Sequence, residues 1–283
     1  MRSIAKLMKD WQFTGPNGVT TAVELPHTWN ARDGQDGGND YWRGCCTYCT
    51  RFAAPVYDPA QQQVWLQFEG VNASAAVLLN GQQLCTHDGG YSTFRAEVTE
   101  LLQAENQLTV RVDNSVNDRV YPQKADFTFY GGIYRDVSLL VVNKNHIALG
   151  HFGDTGVKIT PALQENSADI QVETLVEGSG TVTVELLDAE GRTAAKGEGE
   201  NTFLHLDAPH LWNGIKDPYL YTCVVRLLQD GKPVDEVTTK VGLRSFSVDP
   251  KKGFFLNGRP YPFTVCLAIR PQGSGQRHHP GDA

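Results

Sequence analysis

The 283-residue sequence holds few of the constellations from which catalysis is usually built. Cys45-Cys46-Thr47-Tyr48-Cys49 contains one Cys-x-x-Cys pair, whose thiolates could hold zinc. No second Cys or His pair stands at ligand spacing, since Cys85, Cys223 and Cys266 are isolated, so buried free thiols are the better reading. No Ser-His-Asp order, P-loop or zincin helix is present, and the remaining His residues show no ligand spacing. The glycine-rich stretch from Gly150 to Gly156 reads as a strand connection, because no helix follows whose N-terminus could meet a phosphate. Asn72-Ala73-Ser74 is a glycosylation sequon by pattern alone. His278-His279 sits in a Gly/Gln/Pro-rich tail whose composition reads as disordered chain rather than as a metal or catalytic pair.

The elements that must position any site are strands. Val64, Leu66 and Phe68 alternate with Trp65, Gln67 and Glu69, and this period of two favours a strand. Val77-Leu78-Leu79 runs into Asn80-Gly81, the dipeptide best suited to a two-residue hairpin. Leu108 to Val112 alternates again and ends at Asp113-Asn114, and Ile133 to Val142 is a further β-rich run. Helical windows are as short as Thr99-Glu100-Leu101-Leu102. A second set of strands begins near Asn145, including Asp169 to Val176, Val182 to Leu186, Tyr221 to Leu228 and Val234 to Val241, with turns at Asp188 to Gly191 and Gln229 to Lys232. The expectation is all-β: an antiparallel sandwich or jelly roll over residues 1–143, then an immunoglobulin-like sandwich over 144–246.

Composition narrows the function classes. A hydrophobic share of 40% with 20% charged residues describes a globular protein, and the length suits two domains. A net charge of -7 with no dense Lys/Arg run argues against a nucleic-acid partner. No apolar run approaches the roughly 20 residues that span a bilayer, and the charged start, Met1 to Asp10, cannot form a signal-peptide core. The expected location is cytoplasmic, with no membrane partner.

Several segments, in order, resemble glycoside hydrolase family 2, which includes β-galactosidases, β-glucuronidases and β-mannosidases. They are Leu25-Pro26-His27-Thr28-Trp29-Asn30, Tyr41-Trp42-Arg43-Gly44, Phe68-Glu69-Gly70-Val71, His87-Asp88-Gly89-Gly90-Tyr91, and Asp126-Phe127-Thr128-Phe129-Tyr130-Gly131-Gly132-Ile133-Tyr134-Arg135. The series continues with Pro218-Tyr219-Leu220-Tyr221, Gly242-Leu243-Arg244-Ser245-Phe246 and Gly253-Phe254-Phe255-Leu256-Asn257-Gly258. It covers about residues 11 to 262.

The resemblance implies that residues 1–143 are a jelly-roll (galactose-binding-like) sandwich and 144–246 an immunoglobulin-like one, with residues 247–262 as a lead-in hairpin to a catalytic (β/α)₈ barrel that this chain does not contain. It places both catalytic Glu residues of a retaining glycosidase in that barrel. The parent reaction implied is hydrolysis of terminal β-D-galactosides, with the chain inactive alone. A stand-alone carbohydrate-binding module and an assembly module are the alternatives. Asp126 matches the position from which the family's first domain contacts sugar hydroxyls, which a carboxylate can accept in pairs; its bland alternative is a turn cap or a pair with Arg135 or Lys124. Asn39 and Asp40 lie where that domain also approaches the sugar, and equally suit a plain turn after Gly37-Gly38. Tyr41, Trp42, Tyr91, Phe127, Phe129 and Tyr130 could stack on a sugar ring, although most aromatics fill cores. Arg135 and Asp136 read as a structural pair, and Arg244 as structural. No cofactor is expected in this chain, since the family's occasional Mg or Na is held mainly by the barrel. Weak carbohydrate binding and self-association through surface left bare, at Phe254-Phe255-Leu256 especially, are the expected partners. Residues 263–283 depart from the family's pattern, and a shifted reading frame would explain them.

Overall fold

A computed structural model describes residues 1–31, 41–121, 128–150 and 152–262. The chain forms two compact units that are not contiguous in sequence. One consists of Ile4–Tyr57 and Val64–Leu140, the other of Met1–Ser3, Asp58–Gln63 and residues 141–262. Both are built of antiparallel strands, as the alternating pattern requires, and the fold is the galactose-binding-like sandwich followed by the immunoglobulin-like sandwich. No helix among the described residues is long and apolar enough to cross a membrane.

In the first unit a six-stranded sheet runs in the order Thr20–Val23, Trp11–Thr14, Cys45–Ala53, Glu105–Asp113, Ser74–Leu79, Gln82–Asp88. A four-stranded sheet contains Ser3–Lys6, Val137–Asn143, Gln62–Phe68 and Phe94–Glu97. Alternation sets the register. Tyr48 lies opposite Val110, and Thr50 opposite Leu108, so each strand buries every second residue. Val64, Leu66 and Phe68 are fully buried from the other sheet, as their spacing foretells. Asn80 and Gly81 close their hairpin with φ of 52° and 83°, the left-handed values that this turn demands. The helical window at residue 99 is a single 3₁₀ turn, Thr99–Leu101.

The run from Ile133 to Val142 is not one strand. Gly132–Ile133 belongs to a three-stranded ribbon and Val137–Asn143 to the four-stranded sheet. The break falls where the side chains of Tyr134 and Arg135 reach carbonyls on another segment: the Tyr134 hydroxyl donates to Gly90 O (2.8 Å) and Arg135 Nη1 to Tyr91 O (3.2 Å). Arg135 and Asp136 are therefore structural but not as a pair, because Asp136 takes Lys6 Nζ at 2.6 Å.

The second unit packs a three-stranded sheet (Val157–Leu163, Ser167–Thr174, Asn201–Asp207) and a four-stranded one (Thr193–Glu198, Thr181–Leu187, Tyr221–Gln229, Lys232–Val241) around one core. Ile170, Val172, Val184, Leu186, Val225 and Leu227 are its centre. Each such burial contributes roughly 1.5–3 kcal/mol, against ~0–1 for an exposed ion pair such as Lys158–Glu173 on the same strands, so packing decides the register. Asp230 and Gly231 (φ 49° and 73°) turn the Gln229–Lys232 hairpin. Asp235 is fully buried; it accepts the fork of Arg2, Nε at 2.8 Å and Nη2 at 2.6 Å, and the Ile147 N–H at 2.8 Å. The chain's first residues thus belong to the fold of this unit.

The lead-in segment is ordered here. Phe246–Asp249, Gly253–Leu256 and Arg259–Pro260 form a three-stranded sheet in which Leu256 is buried and Phe254 and Phe255 are half-buried. Arg244 lies over the Trp212 ring at 4.9 Å, a structural role. The cysteines divide: Cys46 and Cys223 are buried, with thiols pushed up by burial to about 12 and about 11, whereas Cys45 is exposed, against expectation, because it occupies an outward position of its strand. Cys266, the tail 263–283 and its His278-His279 lie outside the described residues.

Candidate functional site

Asn39, Asp40 and Asp126 lie outside the described residues, as does Phe127 among the aromatics. The described residues on both sides of those segments converge on one place in the first unit. Three short strands begin the construction: His27–Thr28 pairs with Gly132–Ile133, which pairs in turn with Val71–Asn72. This ribbon sets Thr28 beside Gly131, and the Thr28 hydroxyl donates to Gly131 O at 2.8 Å.

Two asparagines then tie the flanks together. Asn30 and Asn114 are both fully buried. Asn30 Oδ1 accepts from the Gly131 N–H (2.7 Å) and from Asn114 Nδ2 (3.1 Å), and its Nδ2 donates to Trp42 O (2.8 Å). Asn114 Nδ2 also donates to Phe129 O (2.8 Å), while its Oδ1 accepts from the Gly44 N–H (2.8 Å). The Asn114 carbonyl takes Arg43 Nε at 2.8 Å, and that guanidinium lies 4.8 Å over the Phe129 ring. Asn72 Nδ2 donates to Tyr130 O at 2.6 Å. Residues 30, 42–44, 114 and 129–131 are thereby fixed to one another. A buried amide left without its partner costs about 1–3 kcal/mol, so the network holds as a unit.

The surroundings are aromatic. Trp29 stacks on Phe13 (5.9 Å, 17°) and meets Trp42 edge-on (6.0 Å). A side chain on Gly131 would overlap the Trp29 ring, which explains a glycine there. The Trp29 indole N–H is buried with no hydrogen-bond partner among the described residues. His27 Nδ1 meets the Tyr48 hydroxyl at 2.8 Å, and burial lowers the His27 pKa and raises that of Tyr48. Trp42, Phe129 and Tyr130 are half-buried at this place, while Tyr91 is 72% exposed and its ring lies 6.0 Å from that of Tyr134. The described network offers amide groups, aromatic faces and one guanidinium. It can hold loops and pack against an apolar ring face; no carboxylate among its named members could act as acid, base or nucleophile.

Asn30 and Asn114 carry this arrangement, yet the sequence marks them only as part of a motif and as the end of a strand. Asn72 of the sequon is 8% exposed and its amide is spent on Tyr130 O, so it is a structural residue. Among the described residues no group of three or more His, Cys, Asp or Glu side chains is placed to hold a metal ion.

Known proteins resemble the chain along its length. Residues 39–162 match the profile of the glycosyl hydrolase 2 galactose-binding domain-like family, and residues 151–244 that of glycosyl hydrolases family 2. A beta-glucuronidase of Bacteroides fragilis is 34% identical over 98% of this chain and 43% of its own length. The crystal structure of an FMN-binding beta-glucuronidase from Faecalibacterium prausnitzii superposes with a TM-score of 0.88 at 35% identity, covering 93% of this chain and 42% of that one. A putative beta-galactosidase from Bacteroides fragilis superposes at 0.84 with 36% identity, over 92% of this chain and 44% of that one. The chain thus spans less than half the length of the proteins it matches.

Proposed function

The chain belongs to glycosyl hydrolase family 2, and from that premise we propose that its first unit supplies the sugar-facing loops of a retaining β-glycosidase whose catalytic carboxylates lie outside these 283 residues. The observation that carries this reading is the Asn30–Asn114 network, which anchors the flanks of the Asn39–Asp40 and Asp126 segments side by side. In this reading Asp126, Asn39 and Asp40 contact sugar hydroxyls, and the half-buried aromatics Trp42, Phe129 and Tyr130 pack on the ring's apolar face.

The sugar is a terminal β-D-glucuronide or β-D-galactoside. Two of the three relatives above are named as beta-glucuronidases, which supports the glucuronide reading over the galactoside that the Asp126 motif first suggests. The putative beta-galactosidase, 36% identical, keeps the second reading in play. By itself the chain hydrolyses neither, because the described network contributes positioning groups rather than a carboxylate pair. Nitrophenyl β-D-glucuronide and nitrophenyl β-D-galactoside test this directly: the chain is expected to leave both intact, and turnover of either would place the chemistry within it. Asp126→Ala in a full-length protein carrying these domains is expected to raise KM and lower kcat, and unchanged kinetics would remove Asp126 from the sugar site.

A further inference from the structure

The sequence contains four Asn-Gly pairs, beginning at Asn17, Asn80, Asn213 and Asn257. Such a pair carries latent chemistry, because glycine has no Cβ to keep its backbone nitrogen away from the preceding side-chain amide carbon. The fold treats the four differently. Asn80 Nδ2 donates to Leu101 O (3.0 Å) and Asn106 Oδ1 (3.0 Å), and its Oδ1 accepts from the Gln107 N–H (2.9 Å). Asn213 Nδ2 donates to Leu211 O (3.1 Å) and Asp217 Oδ2 (3.3 Å), and its Oδ1 accepts from Asn257 Nδ2 (2.8 Å). Asn257 Nδ2 donates also to Trp212 O (3.0 Å), and its Oδ1 accepts from the Ser245 N–H (2.9 Å). Each of these three amides is held by three hydrogen bonds, so its carbon cannot turn toward the following glycine without breaking them.

Asn17 differs from them. It stands with Pro16 and Gly18 at the exposed tip of the hairpin that joins Trp11–Thr14 to Thr20–Val23. Below the tip the hairpin is closed: the Gly15 N–H donates to Val19 O (3.1 Å), and the Thr14 and Thr20 hydroxyls meet at 2.9 Å. Asn17 Oδ1 accepts from the Val19 N–H at 3.0 Å, while its Nδ2 makes no hydrogen bond among the described residues. That single bond polarises the amide carbonyl and holds it beside residues 18 and 19, with the leaving nitrogen facing water. Nothing lies within 4 Å of where a Gly18 Cβ would stand, so approach to its nitrogen is open. Only the bond from the Gly18 N–H to Gly15 O (3.1 Å) must yield, at a solvent-exposed turn where local opening requires least. We propose that Asn17 is a site of spontaneous deamidation. Water or hydroxide removes the Gly18 N–H proton, that nitrogen bonds to Asn17 Cγ, and the bond from Cγ to Nδ2 breaks, the departing nitrogen taking a proton from water to leave as ammonia. The resulting five-membered imide then adds one water at either of its carbonyls, giving aspartate or isoaspartate at position 17. The net change consumes one water, releases one ammonia and transfers no electrons. It adds one negative charge to the chain's net -7.

The site uses only this hairpin and does not rest on the proposed glycosidase reading. The purified 283-residue chain is incubated in mildly alkaline buffer and digested, and each Asn-Gly peptide is followed by mass spectrometry, which reads the exchange of the side-chain NH₂ for OH as a mass gain with two separable products. Because two fewer hydrogen bonds restrain its amide, Asn17 is expected to convert about tenfold or more faster than Asn80, Asn213 or Asn257. In urea that unfolds the chain the four rates should converge, since the restraint belongs to the fold. Asn17→Gln, whose longer side chain would have to close a larger ring, should lose the conversion at position 17 while unfolding at the same temperature, because the side chain it replaces is exposed. An unchanged Asn17 peptide while any other pair converts, equal rates for all four in the folded chain, or the same preference for Asn17 in urea would each overturn the assignment. So would a mass gain at position 17 in the Asn17→Gln variant as fast as in the parent chain.

Discussion

Asn114 is the residue on which the first unit's site most depends. Replacing it by Ala removes the hydrogen bonds it donates to Asn30 Oδ1 and the Phe129 carbonyl and the one it accepts from the Gly44 N–H, and should cost about 2–4 kcal/mol in urea unfolding. Asn114→Asp keeps the shape but turns two donated hydrogen bonds into acceptor–acceptor contacts, so it should be destabilised too. Full stability of the Asp variant would mean that these two donated hydrogen bonds contribute nothing to the fold. Two histidines carry pH dependence of opposite sign. Burial lowers the His27 pKa below 6.5, so its neutral form is favoured in the fold, and stability is lost as pH falls from 6.5 through the folded value. The hydrogen bond to Asp169 (2.6 Å) raises the His205 pKa above 6.5, so its contribution is present below 6.5 and fades as pH rises through the folded value. Thermal unfolding of His27→Gln and His205→Gln between pH 5 and 8, a window set by the unperturbed histidine pKa of about 6.5, should remove these opposite slopes; a shared sign would refute the assignments.

At the scale of elements, turns were the most legible feature and long-range polar ties the least. Asn80-Gly81 and Asp230-Gly231 announce their hairpins because local chemistry alone demands left-handed φ there. Gly81→Ala meets no neighbouring atom, so its cost should be backbone strain alone, about 1 kcal/mol, whereas Gly131→Ala drives into Trp29 and should cost more, about 1–3 kcal/mol from overpacking. Equal losses in the two variants would argue against the close packing at Gly131. The break in the run from Ile133 to Val142 was hidden because the carbonyls that take Tyr134 and Arg135 belong to residues some 44 positions earlier. The pairing of Asn30 with Asn114 spans 84 positions and shows no local pattern. In sequence, such a buried asparagine looks the same as a turn asparagine. The family resemblance located the candidate sugar-facing segments, but the network that anchors their flanks needed coordinates.

For the whole molecule, two β-sandwich units and a family with long catalytic members define the account. Arg2 shows how far folding depends on remote chain: it forks onto Asp235, 233 positions away, within the second unit. Arg2→Ala leaves a fully buried carboxylate without its counter-charge and should cost about 3–5 kcal/mol, read as a lower midpoint for the second unit's unfolding; a shift under about 1 kcal/mol would show that the pair is dispensable. The central claim is that these domains position a sugar and leave the bond-breaking to carboxylates elsewhere. Its most direct test is hydrolysis of nitrophenyl β-D-glucuronide and nitrophenyl β-D-galactoside by the purified 283-residue chain, beside the full-length Bacteroides fragilis beta-glucuronidase as positive control. The account predicts release of nitrophenol by the control and none by the chain above buffer; turnover by the chain that survives purification would contradict it.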